Sequence, residues 1–176
     1  VVFLVLVAVT RTLRDRNFYG AVTVPDLLSL LDMVALATVA DVVPLTGLNR
    51  AYVKKGLAVM RSRQNPGLTA LADAAALTQA PTPYHLGFIF GPRINAGGRI
   101  GDAALGAKLL STDDPIEAQR IAELLDRLNK ERKQIETVML EEAFALGEQQ
   151  VASDPERAII VVGNETWHKG IVGLVA

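Results

Sequence analysis

The chain has 176 residues, half of them apolar and 21% charged, with a net charge of −1 and a pI near 6.2. That balance suits one folded domain, or one with part of a second, and excludes a disordered or fibrous chain. It shows no basic excess, so any contact with a nucleic-acid strand has to come from a local cluster of cations.

The absence of cysteine removes disulfides and thiolate metal sites and fits a reducing cytoplasm. The opening apolar run Val1–Val9 is far shorter than the roughly 20 residues that span a bilayer. It has neither the basic start nor the cleavage site of a signal peptide, so no membrane partner is expected. With Val1 in first place and the apolar run 171–176 in last, the sequence reads as a piece of a longer protein.

In chain order, the valines of 1–14 favour a strand, but the absence of a turn residue before Arg14 points to a buried helix. Pro25 and Asp26 open a helix carried by Leu27, Leu30, Leu31, Val34 and Ala35, which stops before Pro44. Leu48–Arg61 reads as an amphipathic helix closed by the Asn65-Pro66-Gly67 turn, and Leu68–Leu77 as a shorter one. Pro81 and Pro83 bracket a loop that leads through 85–90 into the glycine-rich stretch GPRINAGGRIGD, residues 91–102; 103–110 is helical again.

The strongest helix signal follows Ser111. Asp114 suits a cap, Pro115 the first helical position and Glu117 the position of a capping-box acid. An apolar stripe from Ile121 to Leu146, interrupted near Glu131 and Arg132, carries the helix to about Gln150. At 1.5 Å per residue it would be about 50 Å long, which suits a connector between two domains. After the Asp154-Pro155 turn, Ala158–Val162 reads as a buried strand, followed by GNETWHKG and the start of a helix.

Three places carry possible chemistry. Asp41 lies between apolar pairs in Val39-Ala40-Asp41-Val42-Val43, and a carboxylate buried there would need a metal ion, an arginine or backbone N–H groups as partner. A plain turn before Pro44 explains it as well. In GPRINAGGRIGD, Arg93 and Arg99 bring fork-shaped donors suited to phosphate, and Asn95 can reach a base, sugar or phosphate. An irregular loop whose arginines pair with nearby carboxylates stands equally open. Trp167, His168, Lys169 and Gly170 lie where a helix start would expose N–H groups, and the indole can stack on a base or plug a core edge. His85 is assigned to structure. No serine or cysteine elbow, no zinc spacing by the two histidines and no GxGxxG site is present.

Taken together, LDMVALATVADVVPLTGLNR, GFIFGPRINAGGRIGDA, LDRLNKERKQIE and WHKGIVGLVA resemble, in order and spacing, the RecJ exonucleases of the DHH phosphoesterase superfamily. The resemblance implies an α/β protein in three parts. Residues 1–111 would be the C-terminal, largely helical part of a DHH catalytic domain, 112–150 a long connecting helix, and 151–176 the beginning of a DHH-associated α/β domain.

It further implies Asp41 as a catalytic metal ligand, for Mn²⁺ or Mg²⁺ in a two-metal site whose other ligands are absent here. Arg93, Asn95 and Arg99 would hold substrate phosphates, and Trp167, His168 and Gly170 would form the far wall of the cleft. The implied activity is 5′-to-3′ hydrolysis of single-stranded DNA in repair and recombination, in the cytoplasm, with single-strand-binding protein and a helicase as partners. The chain alone is expected to be inactive. The alternatives are a phosphodiesterase for short oligonucleotides or cyclic dinucleotides and a replication scaffold without catalysis. The Asp-His-His triplet that names the superfamily is not in the sequence.

Overall fold

Local chemistry sets several helix starts in the computed structural model, which describes residues 1–175. Ala176, counted in the third part above, lies outside them. The elements are α1 (Val2–Asp15), α2 (Leu31–Ala40), α3 (Gly47–Met60), α4 (Pro66–Ala74), α5 (Pro83–His85), α6 (Gly91–Ile100), α7 (Leu105–Ser111) and α8 (Pro115–Ser153). A 3₁₀ turn at Leu27–Leu30 leads into α2, a π-helical turn at Leu86–Phe90 joins α5 to α6, and a 3₁₀ turn at Val172–Leu174 follows α8.

Asp26 caps the first turn through the Leu28 N–H at 3.0 Å, and Asp114 caps α8 through Ile116 at 2.9 Å, with Pro115 following as expected. Glu117 does not close a capping box; it pairs with Arg120 at 2.7 Å. Asn65-Pro66-Gly67, predicted to close α3, opens α4 instead, because the Asn65 side chain accepts the Leu68 N–H at 2.9 Å. His85 is structural, as expected: it is buried, and its Nδ1 accepts the Thr82 N–H at 3.1 Å.

One core joins α2, α3, α4, the π-helical turn, α7 and the first half of α8, through Ala35, Val53, Leu71, Phe90, Leu109 and Ile121 among others. α8 is 39 residues long, about 58 Å at 1.5 Å per residue. Its first half is packed, while farther on only Met139 is buried. The interruption predicted near Arg132 is filled by polar pairing: buried Arg132 donates to Asn129 at 3.3 Å and to Glu136 at 2.5 Å.

Two expectations fail here. α1 is helical but not buried, since only Phe3 and Thr10 are covered, and Phe3 meets Tyr52 of α3 edge-on at 5.3 Å. Ala158–Val162 forms no strand and its isoleucines are exposed, and there is no strand among the described residues. A strand needs another strand to take its N–H and C=O groups, whereas here the Val161 carbonyl accepts the Gln150 side chain of α8 at 2.6 Å. The described residues are therefore helical, without the β part of the expected α/β class. No helix among them is long and apolar enough to cross a membrane.

Candidate nucleic-acid and metal site

The glycine-rich stretch is not a loop. Residues 91–100 form α6, because glycine there serves contact rather than freedom: an added Cβ on Gly97 would lie 2.9 Å from the Asp102 carbonyl oxygen and 3.2 Å from Leu125 of α8. Packing against α8 overrides the low helix propensity of glycine. At the other end, a Cβ on Gly91 would sit 3.4 Å from the Ala40 methyl. The end of α2, which carries Asp41, thus abuts the start of α6, which carries Arg93.

Asp41 ends α2 as its C-cap and is exposed, as are Val42 and Val43. The expectation of an acid wedged among valines is corrected. Val42 adopts a left-handed φ of 55°, and the turn it makes faces the valines outward. Asp41 borders an open groove of about 470 Å³ between the start of α1 and α2, with Phe3, Leu6, Met33 and Thr38. Its carboxylate enters no ion pair among the described residues. A single oxygen donor suits a hard divalent cation but cannot hold one alone, and no cluster of three or more potential ligands exists among the described residues.

Arg93 is half-buried and fixed. Its Nε and Nη2 each reach Asp126 Oδ1 of α8 at 2.9 Å, and Nη1 donates to the Ile89 carbonyl at 2.9 Å. One N–H on each of Nη1 and Nη2 remains. Asp126 is buried, and its Oδ2 takes the Lys130 ammonium at 2.8 Å. Burial pushes the Asp126 carboxyl up, but the hydrogen bonds and charges of Lys130 and Arg93 outweigh it and hold it below the usual carboxylate range. Asn95 is exposed on α6.

Arg99 meets the last predicted cluster. Its Nη1 donates to the Gly170 carbonyl at 3.0 Å, and a Cβ on Gly170 would overlap the Arg99 carbonyl oxygen. The segment after α8 thus folds back onto α6. Trp167 is half-buried beside α8 and donates its indole N–H to Glu142 at 2.8 Å; His168 is exposed and its Nδ1 accepts the Gly170 N–H at 3.1 Å. The helix expected to begin here is only the turn Val172–Leu174, so it offers no helix N-terminus for anions.

Sequence reading missed Asp126, Lys130 and Asp32. Asp32 is buried at the start of α2, accepts the Met33 N–H at 2.7 Å and borders a cavity of about 390 Å³. Burial raises its carboxyl above the usual range. A raised folded value means that ionisation opposes folding at neutral pH, and that this cost fades as pH falls through the raised value. Asp32→Asn is therefore expected to leave stability unchanged at pH 7 or raise it by up to about 1 kcal/mol, with a smaller gain near pH 4. Urea unfolding at both pH values checks this, and a net loss at pH 7 would contradict it.

No family model matches the chain. RecJ, the single-stranded-DNA-specific exonuclease of Dickeya dadantii (strain 3937), is 38% identical over the whole chain, and that of Escherichia coli (strain K12) 39%. The resemblance to RecJ holds along the entire sequence. The chain spans 31% of the length of both relatives. The crystal structure of RecJ with Mn²⁺ from Thermus thermophilus matches 91% of this chain and 23% of its own, at 38% identity and a TM-score of 0.75. The same RecJ with Mg²⁺ matches 91% of this chain and 24% of its own, again at 38% identity and a TM-score of 0.75.

Proposed function

We propose that the whole protein to which this chain belongs is a metal-dependent exonuclease that hydrolyses single-stranded DNA from its 5′ end, in repair and recombination. In that reading residues 1–111 complete a DHH catalytic domain, 112–150 connect it to a second domain, and 151–176 begin the second, α/β domain. Support comes from the likeness to RecJ over the full chain and from one contact, Ala40 against Gly91, where the end of α2 meets the start of α6.

Asp41 would be one ligand of Mn²⁺ or Mg²⁺, which when bound supplies an activated water and stabilises charge on the phosphoryl group. The chain's own residues do the holding. Arg93 presents its two remaining N–H groups to a phosphate, with the guanidinium already oriented by Asp126, so little freedom is lost on binding. Asn95 and Arg99 extend the phosphate contacts along α6, and Trp167 and His168 adjoin them on the segment that packs against Arg99 through Gly170. The cytoplasmic setting and encounters with single-strand-binding protein and a helicase rest on the likeness to RecJ.

The test is release of nucleotides by the full-length protein in Mn²⁺ from a long 5′-labelled single strand, a duplex and a dinucleotide. Preference for the dinucleotide, or equal attack on the duplex, overturns the reading. In the same assay Arg93→Ala is expected to raise KM about tenfold, the equivalent of one charge-assisted contact, with a smaller effect on kcat.

A further inference from the structure

The ion pair that fixes Arg93 involves a second cation. Asp126 sits on α8 with its side chain covered, taking Arg93 on one oxygen and Lys130 on the other, at 2.9 and 2.8 Å. One carboxylate is thus matched by two positive groups, and the trio carries a net positive charge. Arg93 alone would neutralise Asp126. The Lys130 side chain is 70% exposed, and its ammonium keeps N–H groups free beyond the one given to Asp126. An i,i+4 ion pair on a helix contributes only about 0.2–0.5 kcal/mol, so with Arg93 in place the Lys130 contact is a small part of what holds Asp126.

We propose that Lys130 is a second phosphate-binding cation and that Asp126 is the positioning residue that holds Arg93 and Lys130 side by side, so that the junction of α6 and α8 grips a nucleic-acid phosphate from two directions. The proposal rests on the reading of Arg93 as a phosphate ligand. The two cations share one carboxylate, which brings them within reach of oxygens on one phosphate or on adjacent ones. The arginine supplies a fixed fork and the lysine a mobile charge.

The experiment uses the full-length protein and fluorescence anisotropy with labelled oligo(dT), without divalent metal so that the strand stays intact, over a range of salt concentrations. Lys130→Ala is expected to weaken binding about threefold to tenfold and to flatten the dependence of log Kd on log salt by about 0.7, the value for one lost contact to a single strand. Its thermal midpoint should not move, and Lys130→Arg should restore binding.

Asp126→Asn should weaken binding in the wild-type background and have no effect once Arg93 and Lys130 are both alanine. A purely structural Asp126 would shift the thermal midpoint and leave the salt slope alone. Unchanged affinity and slope in Lys130→Ala, with Arg93→Ala still impaired, overturns this inference only. If Arg93→Ala also binds normally, the earlier phosphate reading fails with it.

Discussion

Asp41→Ala in the full-length protein is expected to cut kcat on single-stranded DNA by roughly a thousandfold or more, about 4 kcal/mol of transition-state stabilisation, while affinity for the strand barely changes. The carboxylate stands at the carbonyl end of α2, unpaired and open to the groove. A helix C-terminus favours cations and offers nothing to an anion. A divalent ion would satisfy both the acid and the helix end, whereas in the proposed reading Arg93 and its neighbours would hold the strand independently. Initial rates in Mn²⁺ and oligo(dT) anisotropy separate the two effects. Wild-type turnover by the variant would remove the metal assignment, and robust nuclease activity from the 176-residue chain alone would contradict the expectation that it is inactive by itself.

Gly56→Ala should destabilise the chain by about 3 kcal/mol, near the upper end of what overpacking costs. The added methyl would overlap the Leu31 carbonyl oxygen and lie 2.6 Å from the Ala35 methyl, where α3 crosses α2. Both obstacles are helix backbone or fully buried core, so neither can move aside cheaply. Urea unfolding of the isolated chain measures the loss. A cost under about 1 kcal/mol would mean that α2 and α3 are not in this close contact. Because α2 carries Asp41, cleavage by the full-length variant should decline as well.

Several helix starts were legible from local signals. Asp26, Asp114 and Pro115 act within a few residues of where they stand, and the sequence places them correctly. Tertiary contact produced the misreadings. Glycines at 91, 97 and 98 suggest a loop by propensity, yet α6 needs small residues to pass close to α2 and α8. The valines around Asp41 suggest burial, yet the left-handed turn at Val42 leaves Val42 and Val43 exposed while Val39 packs on the core. The Arg93–Asp126 pair spans 33 residues, and no local pattern announces it. Arg93 was found because the motif around it is distinctive. Asp126 looked like one more acid on a long amphipathic helix.

The π-helical turn Leu86–Phe90 acts as a spacer of fixed count. A turn closed by five residues, with the Gly91 N–H bonded to the Leu86 carbonyl, admits one more residue than an α turn. Removing a residue there would restore ordinary winding and swing all of α6 by about 100°. Arg93 would then face away from α8. These five residues therefore fix the number of residues between His85 and α6.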